Sequence, residues 1–72
     1  MFKDSVLSIQ FAGNIVVIKT LAGSANAAAE AIDSMRMPEI LGTMAGDNTI
    51  LAIVQNEAEA AETVNRFRDM LK

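Results

Sequence analysis

A chain of 72 residues with neither cysteine nor histidine has room for one small domain and lacks the usual thiolate and imidazole groups of catalytic and metal centres. Nine acidic residues against six basic ones leave a formal charge of −3 without a Lys/Arg cluster, so nucleic-acid phosphate finds little to hold here. Hydrophobic residues make up 51% of a chain this short, more than one copy hides easily, and self-association is the natural outlet.

Val6 to Phe11 alternates, which predicts a strand with Leu7, Ile9 and Phe11 on one face. Ala12-Gly13-Asn14 supplies turn residues, and Ile15 to Thr20 returns as a second strand. Gly23-Ser24 opens a helix over roughly residues 25–35, with Ser24 as its N-cap, and Pro38 marks the break after it. Ile40 to Ala45 reads as a strand, Gly46-Asp47-Asn48 as a turn, and Thr49 to Val54 as a strand rich in β-branched residues. Gly42, inside a strand pattern, signals a bulge or a close backbone approach. Asn56 followed by Glu59 comes near to a capping box. Beyond it Ala58, Ala61, Val64, Phe67, Met70 and Leu71 recur at helical spacing to the C-terminus.

The order is ββαββα, an α+β fold with a four-stranded antiparallel sheet and two helices packed on one face. A sheet with one wet face alternates apolar with polar residues. Here Ile15 and Val17 oppose Val16 and Ile18, and Leu51 and Ile53 oppose Ile50, Ala52 and Val54. The helices cover one side only. Each Val, Ile or Leu on the other is worth about 1.5–3 kcal/mol when buried. Scattered surface hydrophobes are ordinary, but this set is contiguous, which points to an oligomer interface. The apolar runs are too short to span a bilayer and no signal-peptide pattern is present, so a cytoplasmic protein is expected.

Two constellations carry possible ligand chemistry. Asp47 sits at a hairpin tip, where Gly-Asp-Asn is good turn chemistry; the carboxylate is also placed to meet a ligand. Thr43 and Ala45 share a strand face beside it, a shallow surface of small residues. Asn26 and Asp33 are seven apart, so two helical turns set both on one face across an alanine-rich surface. Asn26 also reads as a first-turn polar residue and Asp33 as a solvated charge. If Asp33 and Asp47 converge, and if Lys19, Arg36 and Arg68 stay clear of them, a guanidinium suits the pair by bidentate, charge-assisted bonds. Glu57, Glu59 and Glu62 suit the start of a helix, and the methionines read as core filler. No catalytic group and no metal-ligand set stands out, and an enzyme is not expected.

Three segments in order carry a family resemblance: Leu7-Ser8-Ile9 through Gly13 to Thr20, Gly23-Ser24-Ala25-Asn26-Ala27, and Ile40-Leu41-Gly42-Thr43-Met44-Ala45-Gly46-Asp47-Asn48-Thr49-Ile50. The last is similar to a GTI-x-GDD-T signature and the second to P-G-x-A-[NQH]. Over nearly its whole length the chain resembles the C-terminal domain of bacterial arginine repressors. The resemblance implies a domain over residues 1–72 that assembles the repressor and senses L-arginine, with no other cofactor. Trimers would stack into a hexamer with arginine at the trimer–trimer interface. Asn26, Asp33, Thr43, Ala45, Asp47 and Asn48 match ligand-contacting positions. The family's DNA-binding winged helix would lie upstream of Met1, so DNA contact is expected through that domain alone.

Two residues depart from the pattern. Ala22 stands where proline is usual, which alters the turn's stiffness more than the site. Asn48 stands where the family has a second aspartate. Hydrogen bonds to charged groups are worth about 1.5–3 kcal/mol against about 1 for neutral ones, so the change lowers arginine affinity roughly tenfold. Fewer carboxylates also mean less repulsion between empty trimers. The expectation is a hexamer less dependent on arginine, with an arginine-independent assembly module as the alternative.

Overall fold

A computed structural model describes residues 2–71, and every element of the expected order is present. The strands are β1 (Val6–Ala12), β2 (Ile15–Thr20), β3 (Ile40–Ala45) and β4 (Thr49–Val54). They pair antiparallel throughout, in the order β1-β2-β4-β3, so β1 and β3 are the edges. A short helix α1 (Phe2–Ser5), not foreseen from the sequence, precedes β1. The two long helices are α2 (Ala25–Ser34), over β3 and β4, and α3 (Glu57–Leu71), over β1 and β2.

Strict alternation in β2 and β4 builds the core. Val16, Ile18, Ile50, Ala52 and Val54 are fully buried under the helices and meet Ile32 of α2 and Phe67 of α3. No buried side-chain nitrogen or oxygen among the described residues lacks a hydrogen-bond partner. The opposite face is open. The register sets Gln10, Val17, Leu51 and Met44 in one row across it, and Ala12, Ile15, Ile53 and Gly42 in the next. This is the contiguous apolar surface that the strand patterns require.

Turn chemistry closes both hairpins. Gly13 takes φ +58°, a left-handed value that suits glycine, and the Asn14 amide donates to the Val54 carbonyl at 3.1 Å. At the C-terminal end of α2 the left-handed position falls on Arg36, at φ 52°, with Pro38 two residues on.

Two local expectations need correction. Leu7 does not join Ile9 on the inner face. A register shift between Val6 and Ser8 makes Leu7 the extra residue of a bulge, so Val6 and Ile9 turn to the core and Leu7 is left exposed. Phe11 shares the helix side with Ile9 as expected, and near the end of an edge strand it stays partly exposed beside Ala61 and Val64. The buried stripe of α3 runs through Ala60, Thr63, Val64 and Phe67; Ala58 and Met70 lie outside it, while Leu71 packs at its end. The cap of this helix is as expected: the Asn56 side-chain oxygen accepts the Glu59 N–H at 2.9 Å.

Candidate functional site

The tip between β3 and β4 is held by main-chain carbonyls. The Asp47 carbonyl accepts the N–H of Gly23 at 3.1 Å and of Ala25 at 3.2 Å, and the Asn48 carbonyl accepts that of Thr20 at 2.8 Å. The Gly46 N–H closes the turn on the Thr49 carbonyl at 2.9 Å. The tip is thereby docked against the start of α2. Ser24 stands at the N-cap position, but its ψ of −7° is helical and its hydroxyl makes no capping bond. The Asp47 carbonyl instead satisfies the amide of Ala25, the first helical residue. The turn role and any ligand role therefore use different atoms of Asp47. Its carboxylate has no hydrogen-bond or ion-pair partner among the described residues.

A groove between α2 and edge strand β3 is lined by Ile32, Asp33, Arg36, Met37, Ile40, Leu41 and Gly42, at the end of the strand away from the tip. Asn26 and Asp33 lie on the exposed flank of α2, next to the buried Ala25, Ala29 and Ile32. Thr43 and Ala45 pair with Ala52 and Ile50, so both face the helices, and both are half-buried. The Thr43 hydroxyl donates to Asp33 Oδ1 at 2.9 Å, which ties strand to helix. Leu41 is the extra residue of a bulge between Ile40 and Gly42, as Gly42 led one to expect. A Cβ on Gly42 would meet nothing within 4 Å, so no segment of this chain approaches it closely.

Asn48 turns the other way. Its side-chain oxygen accepts the Thr49 hydroxyl at 3.0 Å, and Lys19 Nζ donates to that same hydroxyl oxygen at 3.0 Å. Lys19 and Thr49 are register partners on the open face of the sheet. Asp47 and Asn48 line a hollow of about 300 Å³ together with Met44, Ala45, Thr49 and Leu51.

The six predicted residues thus fall into two sets. Asp33 and Thr43 are bonded across α2 and β3, with Asn26 two helical turns earlier on α2; Asp47 and Asn48 hold the tip, and Ala45 lies on the strand between. Of the cations weighed as partners for the carboxylates, Lys19 reaches Thr49 and Arg68 donates to the Ile9 carbonyl at 2.9 Å, while Arg36 lines the α2–β3 groove with Asp33 and makes no ion pair among the described residues. The functional neighbour that sequence reasoning missed is Thr49. Its signal was available: it follows Asn48 directly and faces Lys19 if β2 and β4 pair. No group of three or more Asp, Glu, His or Cys among the described residues is placed to hold a metal.

The family described as "Arginine repressor, C-terminal domain" matches residues 2–69. The chain belongs to the arginine repressor C-terminal domain family. The arginine repressor of Alkaliphilus oremlandii is 50% identical over all 72 residues, which cover 48% of that protein. The arginine repressor of Thermoanaerobacter sp. is 49% identical over the same span, again 48% of its length. That of Moorella thermoacetica is 44% identical over 70 residues, covering 97% of this chain and 46% of the relative. The chain therefore spans about half the length of these arginine repressors. The family is one of transcription regulators, not enzymes. Its match includes the groove, the tip and the open sheet face.

Proposed function

We propose that this domain assembles a transcriptional regulator of arginine metabolism in the cytoplasm and senses L-arginine. Copies form trimers through the open sheet face, and trimers pair into a hexamer with arginine between them. The observation that carries the reading is the free Asp47 carboxylate, held at a tip whose carbonyls are bonded to α2, in a chain of the arginine repressor family. A guanidinium presents paired N–H donors that fit a carboxylate in two parallel bonds. Asp47 takes that group; Asn26, Asp33, Thr43 and Ala45 line the remainder of the site, and Asn48 flanks Asp47.

The hollow at the tip supports a site between subunits. About 300 Å³ is the low end for small-molecule sites, and this one is open at the surface, so a second surface is needed to enclose a ligand. DNA contact belongs to a separate N-terminal winged-helix domain of the whole regulator; a net charge of −3 suits that division.

One residue favours a second reading. With Asn48 the tip has one carboxylate where the family pattern has two, which weakens arginine binding and eases contact between empty trimers. On that reading the domain is an assembly module independent of arginine. Titration calorimetry with L-arginine on the wild type and Asp47→Ala separates the two. The sensing role predicts heat of binding in the wild type and its loss in the variant. No heat in the wild type leaves the assembly role, and normal binding by Asp47→Ala overturns the site.

A further inference from the structure

We infer that Asn48 faces the ligand as a hydrogen-bond donor, fixed that way by Lys19 and Thr49, and that it opens the tip to amino acids ending in a neutral ureido group. The inference rests on the ligand site proposed above. It starts from the direction of two hydrogen bonds. An ammonium donates and never accepts, so at 3.0 Å from Lys19 Nζ the Thr49 hydroxyl oxygen is the acceptor. The hydroxyl's own proton is then directed to Asn48 Oδ1, also at 3.0 Å. The Asn48 main chain is anchored separately by the Thr20 N–H. With its oxygen engaged by Thr49, the free end of the side chain is the Nδ2 group and its two N–H donors.

Asp47 and Asn48 both line one hollow, and in this scheme the Asp47 carboxylate is its acceptor group and the Asn48 Nδ2 its donor group. A guanidinium consists of donors only. It satisfies Asp47 but sets N–H against N–H at Asn48, and an unmatched donor weakens binding. A ureido group carries both kinds: its NH₂ donates to Asp47 while its carbonyl accepts from Asn48. It forgoes the charge-assisted bond that a guanidinium makes with Asp47, so the two ligand types come out close in affinity. Two aspartates would instead offer acceptors alone and select the guanidinium. Lys19 and Thr49 are positioning residues in this scheme, and Asn48 determines specificity.

Calorimetry with L-arginine and L-citrulline on the wild type, Asn48→Asp, Thr49→Val and Thr49→Ser tests it. The wild type is expected to bind the two within about tenfold of each other. Asn48→Asp widens the preference for arginine to about a hundredfold or more. Thr49→Val releases the Asn48 amide to turn over and moves the ratio toward arginine, while Thr49→Ser keeps the hydroxyl and the wild-type ratio. A wild type that excludes citrulline by about a hundredfold overturns the inference, as does an unchanged ratio in Asn48→Asp or Thr49→Val. Arginine bound equally by the wild type and Asp47→Ala, or no binding of either ligand, places the fault in the underlying site instead.

Discussion

Leu51→Asp puts the open sheet face to a direct test. Leu51 stands mid-row between Val17 and Met44, with Ile15 and Ile53 in the next row. It is half-buried within one copy, so part of its hydrophobic contribution is already gained. Full burial of a leucine is worth about 1.5–3 kcal/mol, which leaves about 1 kcal/mol for assembly. Aspartate forfeits that and sets an unpaired carboxylate in the interface, at a cost of several kcal/mol. The combined loss is about 4 kcal/mol per subunit, close to a thousandfold in association for each copy. Within one copy the position stays open to water, so folding loses only about 1 kcal/mol, the span of strand propensity. Sedimentation velocity should show the variant as a folded monomer. Its Tm should no longer rise with protein concentration, as that of an assembled protein does. Glu62→Gln, exposed on α3, should sediment as the wild type does. A Leu51→Asp variant of wild-type size, folded by circular dichroism, refutes the assignment of this face.

Two further expectations concern the fold that carries the site. Asn56→Ala removes the bond to the Glu59 amide, and loss of such a cap costs about 1 kcal/mol, or about 4–8 °C in Tm for a domain this small. Phe67→Ala empties the largest fully buried position and should cost about 3–5 kcal/mol, a large share of the stability of a chain this size, read as a lower urea midpoint.

The periodic parts of the chain were legible in its sequence. Alternation in residues 6–11, Ile15–Thr20 and Thr49–Val54, and the flanking Gly, Asn and Pro, place all four strands and both long helices to within a residue or so. The two-sided apolar pattern of β2 and β4 also foretold the open face. What escaped depends on pairing across strands. The Leu7 bulge reverses the facing of the residues before it, and only the register with β2 reveals that. The Ser24 hydroxyl makes no capping bond, and the neighbouring Ala25 amide goes to the carbonyl of Asp47, a contact no local rule contains. Helix α1 is four residues long, too short for any period to mark. At the site, Asp47 was legible both as a turn residue and as a ligand contact, and its carbonyl docks the tip on the start of α2 while its carboxylate stays free among the described residues. The Lys19–Thr49–Asn48 chain needed the β2–β4 register to emerge.

Sedimentation equilibrium with and without L-arginine, on the wild type and Asp47→Ala, tests the central claim most directly. The account predicts that both proteins form hexamers without ligand, and that arginine tightens assembly of the wild type alone. Trimers that become hexamers only with arginine would contradict the role given to Asn48. A protein monomeric at every concentration, or an Asp47→Ala variant that answers arginine as the wild type does, would contradict the account itself.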